Sequence, residues 1–102
     1  MDEKRLRGLM GLSVRAGQAV FGEDGCLRLL RSDGCGVLLM DETISDTAKE
    51  RYLGVCERAG VRAAVLSENL LFFATGRPGK AMAVCSGPLA EQIVACLGNE
   101  TE

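Results

Sequence analysis

The sequence predicts an α/β fold in which helices cover both faces of a central sheet, and three observations support this prediction. Short apolar runs alternate along the chain with segments whose apolar residues recur at helical spacing. Such alternation is typical of a layered α/β/α domain around a mainly parallel or mixed sheet. Glycines end most of the helical segments, and 47% hydrophobic residues provide a core. The 102 residues suffice for one domain, which we expect over 1–98 with a frayed tail at 99–102.

The first half of the chain predicts two helices and two strands. A helical pattern between residues 6 and 14 ends at Gly17, and Gln18–Phe21 follows as a short strand, the expected edge of the sheet. Residues 22–24 (Gly-Glu-Asp) open a second helix with acidic side chains in its first turn, where they suit the helix dipole, and Gly34 ends it. The continuous apolar run 36–40 indicates a strand that is buried on both faces.

The second half is assigned in the same way to helix, strand, helix, strand and helix, over residues 45–60, 61–66, 67–75, 81–85 and 86–97. Ser45 and Ser67 precede two of these helices, and we expect both to act as N-caps. Gly60 closes the first of them, and Pro88 stands in the first turn of the last helix, where proline is tolerated.

The composition argues against an enzyme. The chain has no histidine, which excludes Cys/His pairs, Ser/His/Asp triads and His-ligated metals. Asp41-Glu42 is a carboxylate pair at a strand end, but no His, Cys or Lys follows nearby, and we interpret it as part of a solvated loop. No GxGxxG or P-loop occurs. We expect no catalytic residue, no metal and no small-molecule cofactor.

The cysteines and the N-terminus indicate the compartment. The five cysteines form no CxxC pair, so we interpret them as small buried hydrophobes in a reducing environment: Cys26, Cys35, Cys56, Cys85 and Cys96. Residues 1–5 are charged and no long apolar run follows them, so neither a signal peptide nor a membrane span is expected. A cytoplasmic protein without membrane contact is the simplest expectation.

The net charge of −2 argues against a protein that coats nucleic acid by bulk charge. The charges are unevenly distributed, however. Residues 3–31 carry six basic and three acidic groups, and residues 58–80 carry four basic and one acidic. These two positive blocks favour an anionic partner, with an ordinary fluctuation of charge as the alternative interpretation.

Leu70–Phe73 places four large apolar residues in a row on a short predicted helix. Neighbouring helical residues point about 100° apart, so at least one phenylalanine is expected near the surface. The helix is either buried from several sides, or it presents Phe72 or Phe73 to a protein partner or to a stacking base.

Two motifs resemble a known family. Residues 11–17 (Gly-Leu-Ser-Val-Arg-Ala-Gly), followed by Gly22-Glu23-Asp24 at the start of a helix that ends near Arg31, resemble the bacterial YlxQ-type ribosomal-protein-like family. That family belongs to the L-seven-Ae/L-thirty-e superfamily of kink-turn RNA binders. Residues 71–76 (Leu-Phe-Phe-Ala-Thr-Gly) resemble the superfamily's Leu-Gly-x-Ala-x-Gly stretch. The resemblance implies an α/β/α sandwich with a four-stranded mixed sheet and a non-enzymatic role.

The resemblance also implies a site. In the family, the N-terminus of the glycine-led helix enters a sharply bent RNA, and the loop after the fourth helix contacts the bulged side. Gly22 matches the glycine that lets the backbone approach RNA, and Arg28 stands where archaeal relatives have lysine. The implied RNA-binding residues are Gly22, Glu23, Asp24, Gly25, Arg28, Arg31, Thr75, Gly76, Arg77 and Lys80.

The sequence departs from the family pattern at three positions. Asp24 replaces a polar residue that is often Asn, and its carboxylate can accept from a guanine amino group but repels phosphate. Gly25 stands where archaeal relatives have Glu, and it weakens a helix by ~1 kcal/mol relative to alanine. Phe72 stands where relatives have glycine. These departures argue against base readout of the archaeal kind.

Two hypotheses follow. The first is a non-enzymatic protein of the ribosome or translation machinery that recognises structured, kink-turn-like RNA, most simply ribosomal RNA. The second is a protein-interaction module with the same fold and weak or lost RNA binding, which uses the Leu70–Phe73 apolar segment with Phe72 and Phe73 at its centre.

Overall fold

The computed structural model describes residues 2–98, in which one helix is followed by four strand–helix units. The elements are α1 (Glu3–Arg15), β1 (Ala19–Phe21), α2 (Glu23–Arg31), β2 (Cys35–Asp41), α3 (Asp46–Ala59), β3 (Arg62–Leu66), α4 (Leu70–Thr75), β4 (Ala81–Cys85) and α5 (Pro88–Leu97). The predicted order of helices and strands is confirmed. The predicted tail 99–102 lies outside the described residues. None of the helices in this part of the chain is long and apolar enough to cross a membrane.

The four strands form one mixed sheet in the order β1-β4-β2-β3. β2 and β3 run parallel, whereas β4 is antiparallel to both of its neighbours. The short strand β1 lies at an edge, as predicted, and the apolar β2 is central. Consequently β1, β2 and β3 end, and β4 begins, along the same border of the sheet.

Helices cover both faces of this sheet and enclose two core layers. Leu39 and Met82 pack with residues of α1, α4 and α5 on one face. Leu38 and Ala83, their neighbours along the strands, pack with residues of α2 and α3 on the other. Alternation of buried side chains along a strand places them on opposite faces. The predicted three-layer α/β/α sandwich with a four-stranded mixed sheet is therefore confirmed.

Several helix ends lie where the sequence places them. The Ser45 hydroxyl accepts from the backbone N–H of Ala48 at 3.2 Å, as an N-cap does. Gly60 closes α3 in the left-handed conformation, and Pro88 is the first residue of α5.

Two predicted helix ends are wrong. Ser67 does not cap α4, which begins only at Leu70 after Asn69, a residue with a φ of 70°. The Ser67 carbonyl instead accepts from the Leu70 N–H at 3.1 Å. α2 ends at Arg31 rather than at Gly34, with Ser32 as its C-cap and Asp33 at a φ of 63°.

Asp41 corrects the interpretation of the Asp41-Glu42 pair as a solvated loop. Its side chain is only 2% exposed and accepts three hydrogen bonds. Oδ1 accepts from the Thr43 N–H at 2.8 Å and from its hydroxyl at 2.6 Å, while Oδ2 accepts from the Asn69 N–H at 2.8 Å. Asp41 thereby joins the loop after β2 to the start of α4. Glu42 is exposed, as expected of a loop residue.

Candidate nucleic-acid interface

The two segments that the resemblance implies for RNA binding meet at one corner of the sheet. β1 pairs with β4, with Phe21 opposite Met82, so the turn after β1 lies beside the loop that leads into β4. The Arg77 guanidinium carbon lies 4.8 Å from the centroid of the Phe21 ring. Such a cation–π contact contributes about 0.5–1 kcal/mol at an exposed site. It brings the α4–β4 loop beside the residue that precedes Gly22.

Gly22 forms the turn between β1 and α2. Its φ of 89° and ψ of 152° are rarely adopted by residues with a side chain. Its carbonyl accepts from the Cys26 N–H at 3.0 Å, which begins the helix. Within residues 2–98 no side chain caps this end of α2. Its first-turn N–H groups and the helix dipole therefore favour an anion at this position.

The two acidic residues in the first turn of α2 differ in their surroundings. The Glu23 carboxylate forms an ion pair with Arg51 of α3. It is therefore directed along the outer surface toward α3 and does not cap the helix. Asp24 is exposed beside Gly22. Among the described residues, Asp24 is thus the acidic residue of this first turn that forms no ion pair.

Gly25 has a packing role that the resemblance does not indicate. An ideal Cβ at this position would lie 2.6 Å from Cγ1 of Val20, closer than side-chain carbons approach in proteins. The missing side chain therefore allows α2 to lie close against β1. Gly25 therefore favours the helix–strand contact, in addition to its place in the implied RNA surface.

Arg28 and Arg31 lie exposed on the outer face of α2. With Asp24, Leu27 and Ser32 they line an open groove of about 440 Å³. Asp24 and Arg28 are one helical turn apart, so they share this face. The groove brings three of the predicted site residues together along α2.

The remaining predicted residues form the loop after α4. The Thr75 hydroxyl donates to the Leu71 carbonyl at 2.7 Å and accepts from the Arg77 N–H at 3.1 Å, and Gly76 ends the helix with a φ of 70°. Thr75 and Gly76 thus shape the loop that carries Arg77. The Lys80 ammonium donates to the Thr43 hydroxyl at 2.7 Å, so it reaches the β2–α3 loop instead of Phe21.

The phenylalanines of α4 are both on the surface. Phe72 is 50% exposed and Phe73 is 67% exposed, with ring centroids 6.2 Å apart. Leu70 and Leu71 are buried against α1 and α5. The prediction that at least one phenylalanine lies near the surface is therefore confirmed. The alternative, a helix buried from several sides, is wrong for the two phenylalanines, although the two leucines are buried.

The cysteines have the character of core residues. All five are free thiols, and all but the half-buried Cys85 are buried. Burial raises the pKa of the Cys26 thiol to about 11 and that of Cys56 to about 12, and it also raises the pKa of Cys35. These thiols remain protonated and unreactive at neutral pH.

Several solved structures share this fold. A protein of unknown function from Bacillus halodurans superposes with a TM-score of 0.82 at 18% identity, over 88% of this chain and 93% of that one. The Giardia lamblia 15.5kD RNA-binding protein gives a TM-score of 0.74 at 14% identity, over 95% and 85%. At these low identities the similarity shows the fold, which this chain shares with both proteins.

An archaeal translation termination factor also contains the fold, with a TM-score of 0.59 at 17% identity over 76% of this chain and 23% of its own. The fold is thus one that RNA-binding and translation-associated proteins use. No protein-family model matches the sequence, and no curated protein matches it either.

Sequence reasoning missed two residues of this corner. Phe21 contacts Arg77, and Arg51 engages Glu23. An aromatic residue at the end of an edge strand, directly before a glycine turn, was the available signal for Phe21. Arg51 lies on a separate helix and has no signal in the local pattern.

Proposed function

We propose that this chain is a non-enzymatic, YlxQ-type RNA-binding protein that acts with the ribosome or translation machinery in the cytoplasm. It recognises structured, kink-turn-like RNA through the N-terminus of α2 and the α4–β4 loop. The observation that carries the proposal is the contact of Arg77 with Phe21, which fixes a cation beside the uncapped end of α2. The fold shared with the Giardia RNA-binding protein supports it.

Each part of the corner has a chemical task in this proposal. The first-turn N–H groups of α2 bind a phosphate, and Gly22 lets the RNA backbone approach them. Arg77 and Arg28 supply charge-assisted hydrogen bonds to phosphate or to a guanine edge. Asp24 accepts from a guanine amino group of the tandem G·A pairs beside which proteins of the resembled family bind. With Glu23 paired to Arg51, the local field at the helix end is less negative than the sequence suggests.

The experiment is a filter-binding titration at low and moderate salt. The probes are a kink-turn RNA, the same RNA with its G·A pairs converted to Watson–Crick pairs, and a single strand of equal length. We expect preference for the kink-turn, a fall of affinity with salt that reflects a few phosphate contacts, and about tenfold weaker binding by Arg77→Ala and by Arg28→Ala. Arg5→Ala is the matched control, because Arg5 lies on α1 and bonds to Gln92 at 3.4 Å. Equal binding of all three probes would contradict the proposal.

The exposure of Phe72 and Phe73 favours one second candidate, a protein-interaction module of the translation machinery. It predicts that Phe72→Ala disrupts self-association or a complex while the melting temperature stays unchanged. Light scattering after size-exclusion chromatography tests the first of these. A monodisperse monomer for both the wild type and the variant, together with intact RNA binding, would exclude self-association through this surface.

A further inference from the structure

A second groove lies between α1 and α4, outside the residues that the sequence assigns to RNA. It has a volume of about 420 Å³ and is lined by Lys4, Arg7, Gly8, Gly11, Arg15, Phe73 and Ala74. One wall is therefore cationic, and the other carries the most exposed aromatic ring of the described residues. We call it the α1–α4 groove.

The cationic wall follows from the spacing of residues along α1. Lys4, Arg7 and Arg15 are separated by three and eight residues, which places them on one face of the helix. At a rise of 1.5 Å per residue the row extends over about 16 Å. All three side chains are exposed, and none forms an ion pair with a carboxylate of residues 2–98.

Two glycines form the floor of the groove. An ideal Cβ at Gly8 would meet no atom within 4 Å, so the floor is open at this position. At Gly11 the same atom would lie 3.1 Å from the Ala74 carbonyl oxygen, so glycine lets α4 lie close against α1 there. Gly8 therefore leaves open space beside the row of cations, whereas Gly11 serves the close contact between the two helices.

We infer that the α1–α4 groove binds an unpaired RNA segment that continues from the structured RNA of the proposed function, on which this inference rests. Phosphates lie along Lys4, Arg7 and Arg15, and a base stacks on Phe73. A basic track beside an exposed aromatic ring is how proteins bind single-stranded nucleic acid, with site sizes of roughly four nucleotides and more.

The course of the chain connects the groove with the corner at Phe21. Phe73 and Ala74 line the groove, and Arg77 follows only three residues later in the loop of the proposed site. A strand that leaves a structured RNA at Arg77 meets the groove directly. An apolar protein helix suits the groove less well, because it would bury three cations without partners.

The test is fluorescence anisotropy with four labelled RNAs. They are a blunt kink-turn, the kink-turn with a single-stranded tail of about eight nucleotides on the 5′ end or on the 3′ end, and the tail alone. We expect one of the tails to raise the affinity about fivefold or more. This gain in affinity is lost in the double variant Arg7→Ala/Arg15→Ala and in Phe73→Ala. It is retained in Phe73→Trp, which keeps an aromatic ring, and in the control Arg5→Ala. Thermal melting verifies that each variant is folded.

The outcomes separate the two proposals. Equal affinity for blunt and tailed RNA overturns the inference that the α1–α4 groove binds RNA, and it leaves the proposed function unaffected. Binding of the tail through Phe73 without preference for the kink-turn over its Watson–Crick version overturns the kink-turn proposal and supports the groove. Displacement of the tail by a poly-glutamate peptide as readily as by unlabelled RNA overturns the assignment to RNA in favour of an acidic peptide.

Discussion

Replacement of Asp41 by asparagine tests the role of the buried carboxylate that joins two loops. In the wild type, Oδ1 accepts from both donors of Thr43 and Oδ2 accepts from the Asn69 N–H. An amide retains one oxygen and replaces the other with an NH2 group. If the amide oxygen stays with Thr43, the NH2 group faces the Asn69 N–H, and that donor loses its partner.

The magnitude follows from this single lost partner. A buried donor without an acceptor costs about 1–3 kcal/mol, and a charged acceptor lies toward the upper end of this range. We expect Asp41→Asn to lower the free energy of unfolding by about 2 kcal/mol at pH 7. For a domain of this size, 1 kcal/mol shifts the melting temperature by roughly 4–8 °C, so a decrease of roughly 8–16 °C is expected.

The effect depends on pH in a defined direction. Burial raises the pKa of the Asp41 carboxyl, but hydrogen bonds from Thr43 and Asn69 and the charge of Lys80 outweigh it, and the net pKa is lowered from the ordinary value of 3.8. A lowered pKa in the folded state contributes stability that is present above the unfolded pKa. This contribution is lost as the pH falls through the folded pKa. The difference between wild type and Asp41→Asn should therefore be largest at neutral pH and should shrink as the pH falls below the ordinary value of 3.8 and through the lower folded-state pKa.

The assay is thermal unfolding followed by circular dichroism at neutral and at acidic pH. Glu42→Gln is the matched control, since Glu42 is the adjacent carboxylate and, among residues 2–98, accepts only from the Glu68 N–H at 3.2 Å in an exposed position. We expect its melting temperature to stay within about 2 °C of the wild type, in line with the small contribution of an exposed contact. A variant Asp41→Asn that melts like Glu42→Gln at pH 7 would refute the reasoning.

Three further predictions concern the glycines and the cysteines. Gly25→Ala should lower stability by up to about 2 kcal/mol in chemical denaturation, because the overpacking cost of about 1–3 kcal/mol for a Cβ 2.6 Å from Val20 exceeds the gain of ~1 kcal/mol in helix propensity; a gain in stability would contradict the close packing of α2 on β1. Gly54→Ala in the middle of α3 should raise it by about 0.5–1 kcal/mol, because the new Cβ would meet only the Arg58 side chain at 3.6 Å, an ordinary contact. In native protein at pH 8, iodoacetamide should label Cys85 before Cys26, whose raised pKa and complete burial protect it, as peptide mass mapping would reveal.

The secondary structure was predictable because its signals are local. The apolar run of β2, the Ser45 cap and the Gly60 ending are all read from residues that are close in sequence. The insertion of β4 between β1 and β2 has no such signal, because strand order is decided by packing between distant segments. The prediction that Ser67 caps α4 was wrong for the same reason. The Asn69 N–H at the start of α4 donates to Asp41, which lies 28 positions earlier in the chain.

The candidate site was predictable only as a set of segments. The resemblance indicated the turn at Gly22 and the loop at Arg77, and their meeting at Phe21 is a property of the folded sheet. Gly25 illustrates the limit most clearly. From the sequence alone, a glycine at this position predicts a weak helix. In the structure, the close approach of Val20 leaves little room for a side chain at position 25.

The short helix α4 is attached at both of its ends to the same border of the sheet. Asp41 holds its first turn through the Asn69 N–H, and the Arg77–Phe21 contact holds the loop that leaves it. Six residues alone would form no stable helix in water. Because α4 is attached in this way, the backbone that carries Phe72 and Phe73 is already ordered, so a ligand that stacks on their rings does not have to order this helix. The surface is therefore preorganised, and changes at the distant Asp41 would weaken binding without any contact to the ligand.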